Sequence, residues 1–443
     1  MALSDSTAPP PTTPEFTAFI GLDWGDKKHA WSLQEQGSKR IERGQVENTP
    51  EAIDLWAVDL AQRFAGRLIA VALEQARGAV IGVLGKYAYF YLYPVHSTTS
   101  ANYRKSFSPS GAKSDPSDAD MLLDLLLKHR EQLRPLRPDT EETRSLQILV
   151  EERRKQVDLQ TSLSHRLTMH LKQSFPQIVN WFDDVKAPLV ANLLERWPTL
   201  EQLQKARPET LRKFFHKNNC RSQERIEERL VQIRQAVPAT HDRAVLSMGT
   251  LIAHGLLQIL AALREVITGL DERLATLLKA HPDFFIVDSL PGAGPVMAPR
   301  LIAVLGTDRD RFGSASELQC WTGIAPVVER SGKQFWVHWR WACPKFVRQS
   351  IHEWAQHSMK NCEWACQFYD LQRSRNKSHH AAIRSLAFKW LRILYRCWKN
   401  REPYNQARYE ESLRKHAPKA AENAKKTTLE LQWKNCGGFS KLV

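Results

Sequence analysis

Cysteine is scarce and scattered: the 443-residue chain has seven, an odd number, with no Cys-x-x-Cys pair. That argues against a disulfide framework and fits reduced thiols in a cytoplasm. Long apolar stretches are also missing. No run of 18 consecutive apolar residues occurs, and the first residues lack a basic-then-apolar signal pattern. Neither membrane spanning nor secretion is therefore expected. Acid is the charge in short supply: 48 Asp and Glu face 63 Lys and Arg, a net charge of +15. Such a balance favours a polyanionic partner, nucleic acid before membrane. At roughly 150 residues per domain, the length suggests about three domains.

The charge is unevenly spread. Residues 1–135 hold 15 basic and 16 acidic side chains, whereas residues 371–420 hold 13 basic and only 3 acidic. The first region can host metal-binding carboxylates; the second can host a surface for phosphate backbones.

Residues 1–15, with Pro9, Pro10, Pro11 and Pro14, read as a disordered leader. From Phe16 the pattern becomes α/β. Phe19–Asp23, His29–Leu33 and Leu68–Leu73 read as strands, with helices carrying Ile53, Trp56, Ala57 and Leu60 and starting at Ala79 between and after them. After Pro138 the character is helical: Asp139 and Glu142 form a plausible capping box, and Leu146, Leu149, Val150, Leu163, Leu167 and Leu171 recur at helical spacing. Pro176, Pro188 and Pro198 break residues 176–245 into shorter helices. Leu256, Leu260, Leu263, Ile267, Leu270, Leu274 and Leu277 then form a heptad seam, either a dimerising coiled coil or two antiparallel helices packed within one chain. The resulting division is 16–137 (α/β), 138–283 (helical coiled coil), 284–400 (mostly α) and a polar tail, 401–443.

Asp23 ends the first strand and Glu74 ends the third. Side chains at the carboxyl ends of neighbouring strands converge on a crevice. Asp115 and Asp118 open a helix three residues apart, on one face, with Asp120 pointing elsewhere. Four carboxylates at one place need cations, and hard oxygen ligands suit Mg²⁺ or Mn²⁺. Two such ions can activate an attacking oxygen and stabilise a leaving one on phosphorus. The same acids also read as helix caps, since Asp115 precedes Pro116.

Nine of the fourteen tryptophans lie at or beyond Trp321, which indicates a separate aromatic core. Leu290-Pro291-Gly292-Ala293-Gly294-Pro295 resembles a helix-hairpin-helix turn, in which Gly292 and Gly294 allow backbone N–H groups to meet a phosphate; it also reads as an ordinary helix connection. Ser331, between Arg330 and Lys333, sits in positive potential suited to attack on a phosphodiester, or in a simple turn. Residues 381–399 form a basic amphipathic helix whose Arg384, Lys389, Arg392 and Arg396 can contact phosphates. Cys343, His352, His357, Cys362 and Cys366 make a zinc site conceivable, although no paired motif is present.

Taken together, Gly21-Leu22-Asp23, Ala72-Leu73-Glu74, Lys113-Ser114-Asp115-Pro116-Ser117-Asp118, Leu290 to Pro295, Thr322-Gly323-Ile324-Ala325-Pro326 and Arg330-Ser331-Gly332-Lys333 resemble the IS-one-ten (IS110) family of insertion-sequence transposases. The resemblance implies a RuvC-like (ribonuclease H fold) N-terminal domain whose DEDD set, Asp23, Glu74, Asp115 and Asp118, holds Mg²⁺. It implies that Ser331, on a C-terminal transposase domain, is the nucleophile forming a covalent link to DNA. It further implies homodimers or homotetramers whose acids and serine come from different subunits, and a structured guide RNA that pairs with donor and target DNA. Ser114 stands where that family usually has Thr, and Gln334-Phe335-Trp336-Val337-His338-Trp339 replaces its usual basic, glycine-rich run. Two other readings of the same residues remain: a RuvC-like junction nuclease using water, and a non-catalytic nucleic-acid-binding protein.

Overall fold

The computed structural model describes residues 14–74, 78–107, 115–332, 334–412 and 415. The expected leader and most of the expected tail lie outside them. The chain divides into two compact units, residues 1–138 and 139–443.

The first unit is a five-stranded mixed sheet. Its strands are β1 (Ala18–Asp23), β2 (Lys28–Glu35), β3 (Ile41–Glu47), β4 (Ile69–Leu73) and β5 (Phe90–Pro94), in the order β3-β2-β1-β4-β5. β1 and β2, and β2 and β3, are antiparallel; β4 and β5 add in parallel. The α/β expectation holds, and β3 and β5 are additions to it. β3 carries the polar sequence Ile-Glu-Arg-Gly-Gln-Val-Glu on an open edge and buries one residue. An edge strand need not show the apolar pattern by which sequence reading finds strands.

Strand alternation sends Ala18, Ile20, Leu22, Ile69, Val71 and Leu73 to one side, against α1 (Pro50–Arg63) and α2 (Ala79–Leu84). On the other side Phe19, Ala70, Ala72 and Tyr93 meet Leu122, Leu123, Leu125 and Leu126. These leucines belong to α4 (Asp115–His129), which follows α3 (Ser97–Phe107). Gly21 sets how near α4 comes: a Cβ there would lie 2.1 Å from Ala119 O and 2.4 Å from Leu123 N.

The second unit is mostly helical. α5 (Glu141–Ser174) and α11 (Arg243–Ala280) pair antiparallel, as Thr143 with His281, Arg153 with Asp271 and Ser174 with Gly249 show. The heptad seam is thus used within the chain. Between them lie α6 (Pro176–Trp181), α7 (Pro188–Arg196), α8 (Leu200–Gln204), α9 (Pro208–Lys217) and α10 (Gln223–Gln235). Pro176, Pro188 and Pro208 each occupy a first helical turn, where a missing N–H costs nothing. By length and composition alone α11 could cross a membrane; 28 % of its most apolar stretch is buried. The cap of α5 differs from expectation. Thr140 accepts from Thr143 N, while the Asp139 carboxylate turns away to accept from Thr307 N at 2.8 Å.

The remainder comprises α12 (Phe284–Asp288), α13 (Met297–Leu305), α14 (Ala315–Trp321), the hairpin β6 (Val327–Ser331) and β7 (Gln334–His338), α15 (Lys345–Ser358), α16 (Glu363–Ser374) and α17 (His379–Asn400). Trp354, Trp364, Trp390 and Trp398 are buried among these helices, the expected aromatic core. That core also takes in Leu146 and Val150 of α5 and Leu274 and Leu278 of α11, so the long pair and the C-terminal helices share one interior.

Candidate active site and nucleic-acid interface

The two parallel strands β1 and β4 run in register, Gly21 opposite Ala72 and Leu22 opposite Leu73. Asp23 and Glu74 therefore leave adjacent strands at the same end. By alternation both follow Gly21 and Ala72 to the side of the sheet that α4 covers. Asp118 lies on the first turn of α4 next to Ala119, whose carbonyl abuts Gly21. Three acids far apart in sequence thus share one end and one side of the sheet. Asp115 begins α4, but its side chain lies outside the described residues.

Asp118 is 2 % exposed, and its charge is met by a residue that no motif or spacing singles out. Arg104 of α3 places its guanidinium 2.6 Å from Asp118 Oδ1. The contact is an ion pair without hydrogen-bond geometry, for Asp118 Oδ1 and Arg104 Nε both lack a hydrogen-bond partner. Asp120, as expected, points elsewhere: it accepts from Ser32 Oγ at 2.6 Å and Arg43 Nε at 2.8 Å, tying α4 to β2 and β3. Among the described residues no three His, Cys, Asp or Glu side chains converge closely enough to hold a metal ion. The donor chemistry is nevertheless of the kind a hard divalent cation takes, since the set is all carboxylate oxygen.

Ser331 belongs to the other unit, at the tip of the β6–β7 hairpin. Gly332, with φ +58°, supplies the left-handed residue that a tight hairpin turn requires; Lys333 lies outside the described residues. Directly paired residues share a face, so Ser331 and Gln334 lie with Glu329, Trp336, Val327 and His338. Arg330 and Phe335 lie on the opposite face, where the guanidinium rests 5.2 Å from the ring centroid. Arg330 therefore does not flank the hydroxyl directly. Glu329 Oε1 accepts from His338 Nε2 across the hairpin at 2.8 Å, an acid–imidazole pair on the serine's own face that spacing alone did not disclose. Phe335, Trp336, Val337 and Trp341 are all exposed, the last by 77 %.

The glycine turn before α13 has a packing explanation. Gly292, with φ +74°, lies where a Cβ would come within 2.6 Å of the α15 backbone at His357 and Ser358. The N–H groups of Met297 and Ala298 donate to Gly294 O, each at 2.9 Å. Gly294 itself is exposed.

α17 is a core helix, burying Ile383, Leu386, Trp390, Leu391, Leu394 and Trp398. Its basic residues diverge. With Arg384 as the origin and about 100° per residue, Arg392, Arg396 and Lys389 lie about 80°, 120° and 140° round the helix. The Lys389 ammonium sits 4.4 Å from the Phe368 ring, and burial holds its pKa below the usual lysine value. Arg384 lies over Trp339 at 3.8 Å, and Arg348 of α15 lies over the same ring at 4.8 Å. Of the residues considered for zinc, Cys343 packs on Gly323, Cys362 is buried, and Cys366 is exposed beside Asp370.

Carboxylates thus gather at one sheet end of the first unit, and the second carries a serine on a hairpin. Comparisons with known proteins give the class. Residues 20–176 match a family model described as "Transposase", and residues 286–370 match that of the "Transposase IS116/IS110/IS902 family". Together they cover more than half of the chain. The "Mini-circle putative transposase for IS117" of Streptomyces coelicolor is 23 % identical over 88 % of this chain and 96 % of its own length. The insertion element IS110 43.6 kDa protein of the same organism is 25 % identical over 86 % and 94 %, and the IS900 42 kDa protein of Mycobacterium paratuberculosis is 24 % identical over 88 % and 97 %. The class is that of the transposases. The chain belongs to the IS110 family among them.

Proposed function

We propose that this transposase cuts and rejoins DNA through Ser331, with Asp23, Glu74, Asp115 and Asp118 holding Mg²⁺ or Mn²⁺ in a RuvC-like, ribonuclease H fold domain. The strand order β3-β2-β1-β4-β5 supports that fold reading. The observation that carries the proposal is the gathering of Asp23, Glu74 and Asp118 at one end and on one side of the sheet. When bound, the cation compensates charge building on the phosphoryl oxygens. Ser331 Oγ attacks phosphorus, an Oγ–P bond forms, and the P–O bond to the departing strand breaks. The hydroxyl proton ends on the released strand end. Attack by another strand's hydroxyl reverses these changes and frees the serine.

Donor and target DNA are the substrates, and a structured guide RNA selects them. Arg392, Arg396 and Gly294 stand ready for backbone phosphates on exposed surface. A homodimer or homotetramer is supported by a second apolar stripe on α11, where Met248, Ile252, Ile259 and Val266 are exposed. Such contiguous exposed apolar surface marks protein contacts.

The test uses the full chain and a duplex carrying one end of the element. Ser331→Ala should abolish a covalent protein–DNA adduct on a denaturing gel. Asp23→Asn and Asp118→Asn should each slow cleavage by at least about a hundredfold. Cutting that survives Ser331→Ala would mean water is the nucleophile, the action of a junction nuclease. Unchanged activity in the acid variants would reduce them to helix caps. Sequencing of co-purified RNA tests the guide.

A further inference from the structure

We propose that Arg348 and Arg384, both resting on Trp339, form a binding site for one backbone phosphate of the DNA strand that runs along the β6–β7 hairpin. The proposal deepens the Ser331 reading and rests on it for the choice of DNA.

The site lies where β7 ends. Trp339 follows His338 directly, and the guanidinium carbons of Arg384 and Arg348 lie 3.8 and 4.8 Å from its ring centroid. Arg348 is held by donating to Arg340 O at 3.1 Å. Arg340 in turn donates to Ala325 O at 3.2 Å and Pro326 O at 3.4 Å, which fixes the base of the hairpin. Two guanidinium groups against one ring repel each other. Among the described residues neither has a carboxylate partner, and Arg384 Nε is buried without any acceptor. The other titratable groups at hand, His352, His379 and His380, add no negative charge; Arg384, His379 and His380 all disfavour protonation of His352. A buried, unpaired donor in a native fold calls for an acceptor. Planar, forked donors pre-stacked on an aromatic ring match phosphate oxygens, which bring both the acceptors and the missing negative charge.

The hairpin also gives a distance. Gln334, which pairs with Ser331, lies five residues before Trp339, about 16 Å at a strand's ~3.3 Å per residue. At ~3.4 Å per nucleotide along one strand, that is four to five nucleotides from the phosphodiester Ser331 attacks. The basic run usual after the serine is absent here. The stack supplies the positive charge from α15 and α17 instead.

The experiment measures binding of the full chain to an element-end duplex by fluorescence anisotropy over a range of salt, with single methylphosphonate substitutions scanned along the cleaved strand. Arg348→Gln and Arg384→Gln should each weaken binding roughly tenfold and lower the salt slope by about 0.9. Arg384→Lys should recover little, since an ammonium cannot fork. One neutralised phosphate, four to five nucleotides from the cut, should weaken wild type and leave the Gln variants unaffected. Melting curves check that the variants fold. Equal salt slopes in folded variants, or a methylphosphonate response unchanged by them, overturns the site. Loss of RNA binding alone, with DNA binding intact, overturns the DNA assignment. Because the readout is binding, a wild type that makes no serine adduct yet keeps the variant-sensitive position supports the site and sinks only the serine reading.

Discussion

Arg104 and Asp118 form an ion pair at 2.6 Å in which the carboxylate is 2 % exposed. Removing one partner of a buried pair leaves the other charged and unsolvated. Arg104→Gln should therefore cost the first unit about 2–4 kcal/mol, read from chemical denaturation. If Asp118 also takes a divalent cation, Mg²⁺ should raise the melting temperature of Arg104→Gln more than that of wild type. Equal increments would show that the carboxylate serves only the ion pair. The hairpin residues Glu329 and His338 belong to the same scale: their contact puts an acid–imidazole pair on the face that carries Ser331.

At the scale of the element, α4 and β1 are pressed together until backbone meets backbone. A methyl group on Gly21 would sit 2.1 Å from Ala119 O, and neither partner is a flexible side-chain end that can swing away. Gly21→Ala should push α4 outward, with a loss of about 1–3 kcal/mol or more in stability. It should also lower cleavage by more than the stability loss explains, because Asp118 travels with α4 while Asp23 stays on β1. Activity measured well below the melting temperature separates these effects. Normal activity in a folded Gly21→Ala chain would break the link between this close approach and the acid site.

At the scale of the whole molecule, burial makes three of the described histidines harder to protonate. His29, His281 and His352 all have pKa values lowered from 6.5, with burial the largest cause in each. His281 shows the mechanism: its Nδ1 accepts from Asp283 N at 3.0 Å, so its Nε2 carries the hydrogen toward Thr143 Oγ1 at 2.9 Å. A depressed folded pKa contributes stability that is fully present above 6.5 and is lost as pH falls through the folded value. Melting temperature should hold from pH 8 to 7 and drop below about 6.5. His281→Gln, which can keep both hydrogen bonds without titrating, should flatten that drop. An unchanged slope would remove His281 from the account.

What the sequence determined by itself was local or periodic. β1, β2 and β4, the apolar faces of α1, α5 and α11 and the aromatic C-terminal core all follow from spacing and composition, because burial of one face imposes a period that composition records. The polar edge strand β3, the cap at Thr140 and the packing role of Gly292 left no such trace. Nor did the partners of the site: Arg104 reaches Asp118, and Arg348 and Arg384 reach Trp339, only after distant helices pack. The heptad seam on α11 fitted a second chain or a second helix equally well, and the antiparallel fit of α5 decided between them. Periodicity states which face a helix will bury. Only tertiary packing chooses the surface it is buried against, and with it which charges meet.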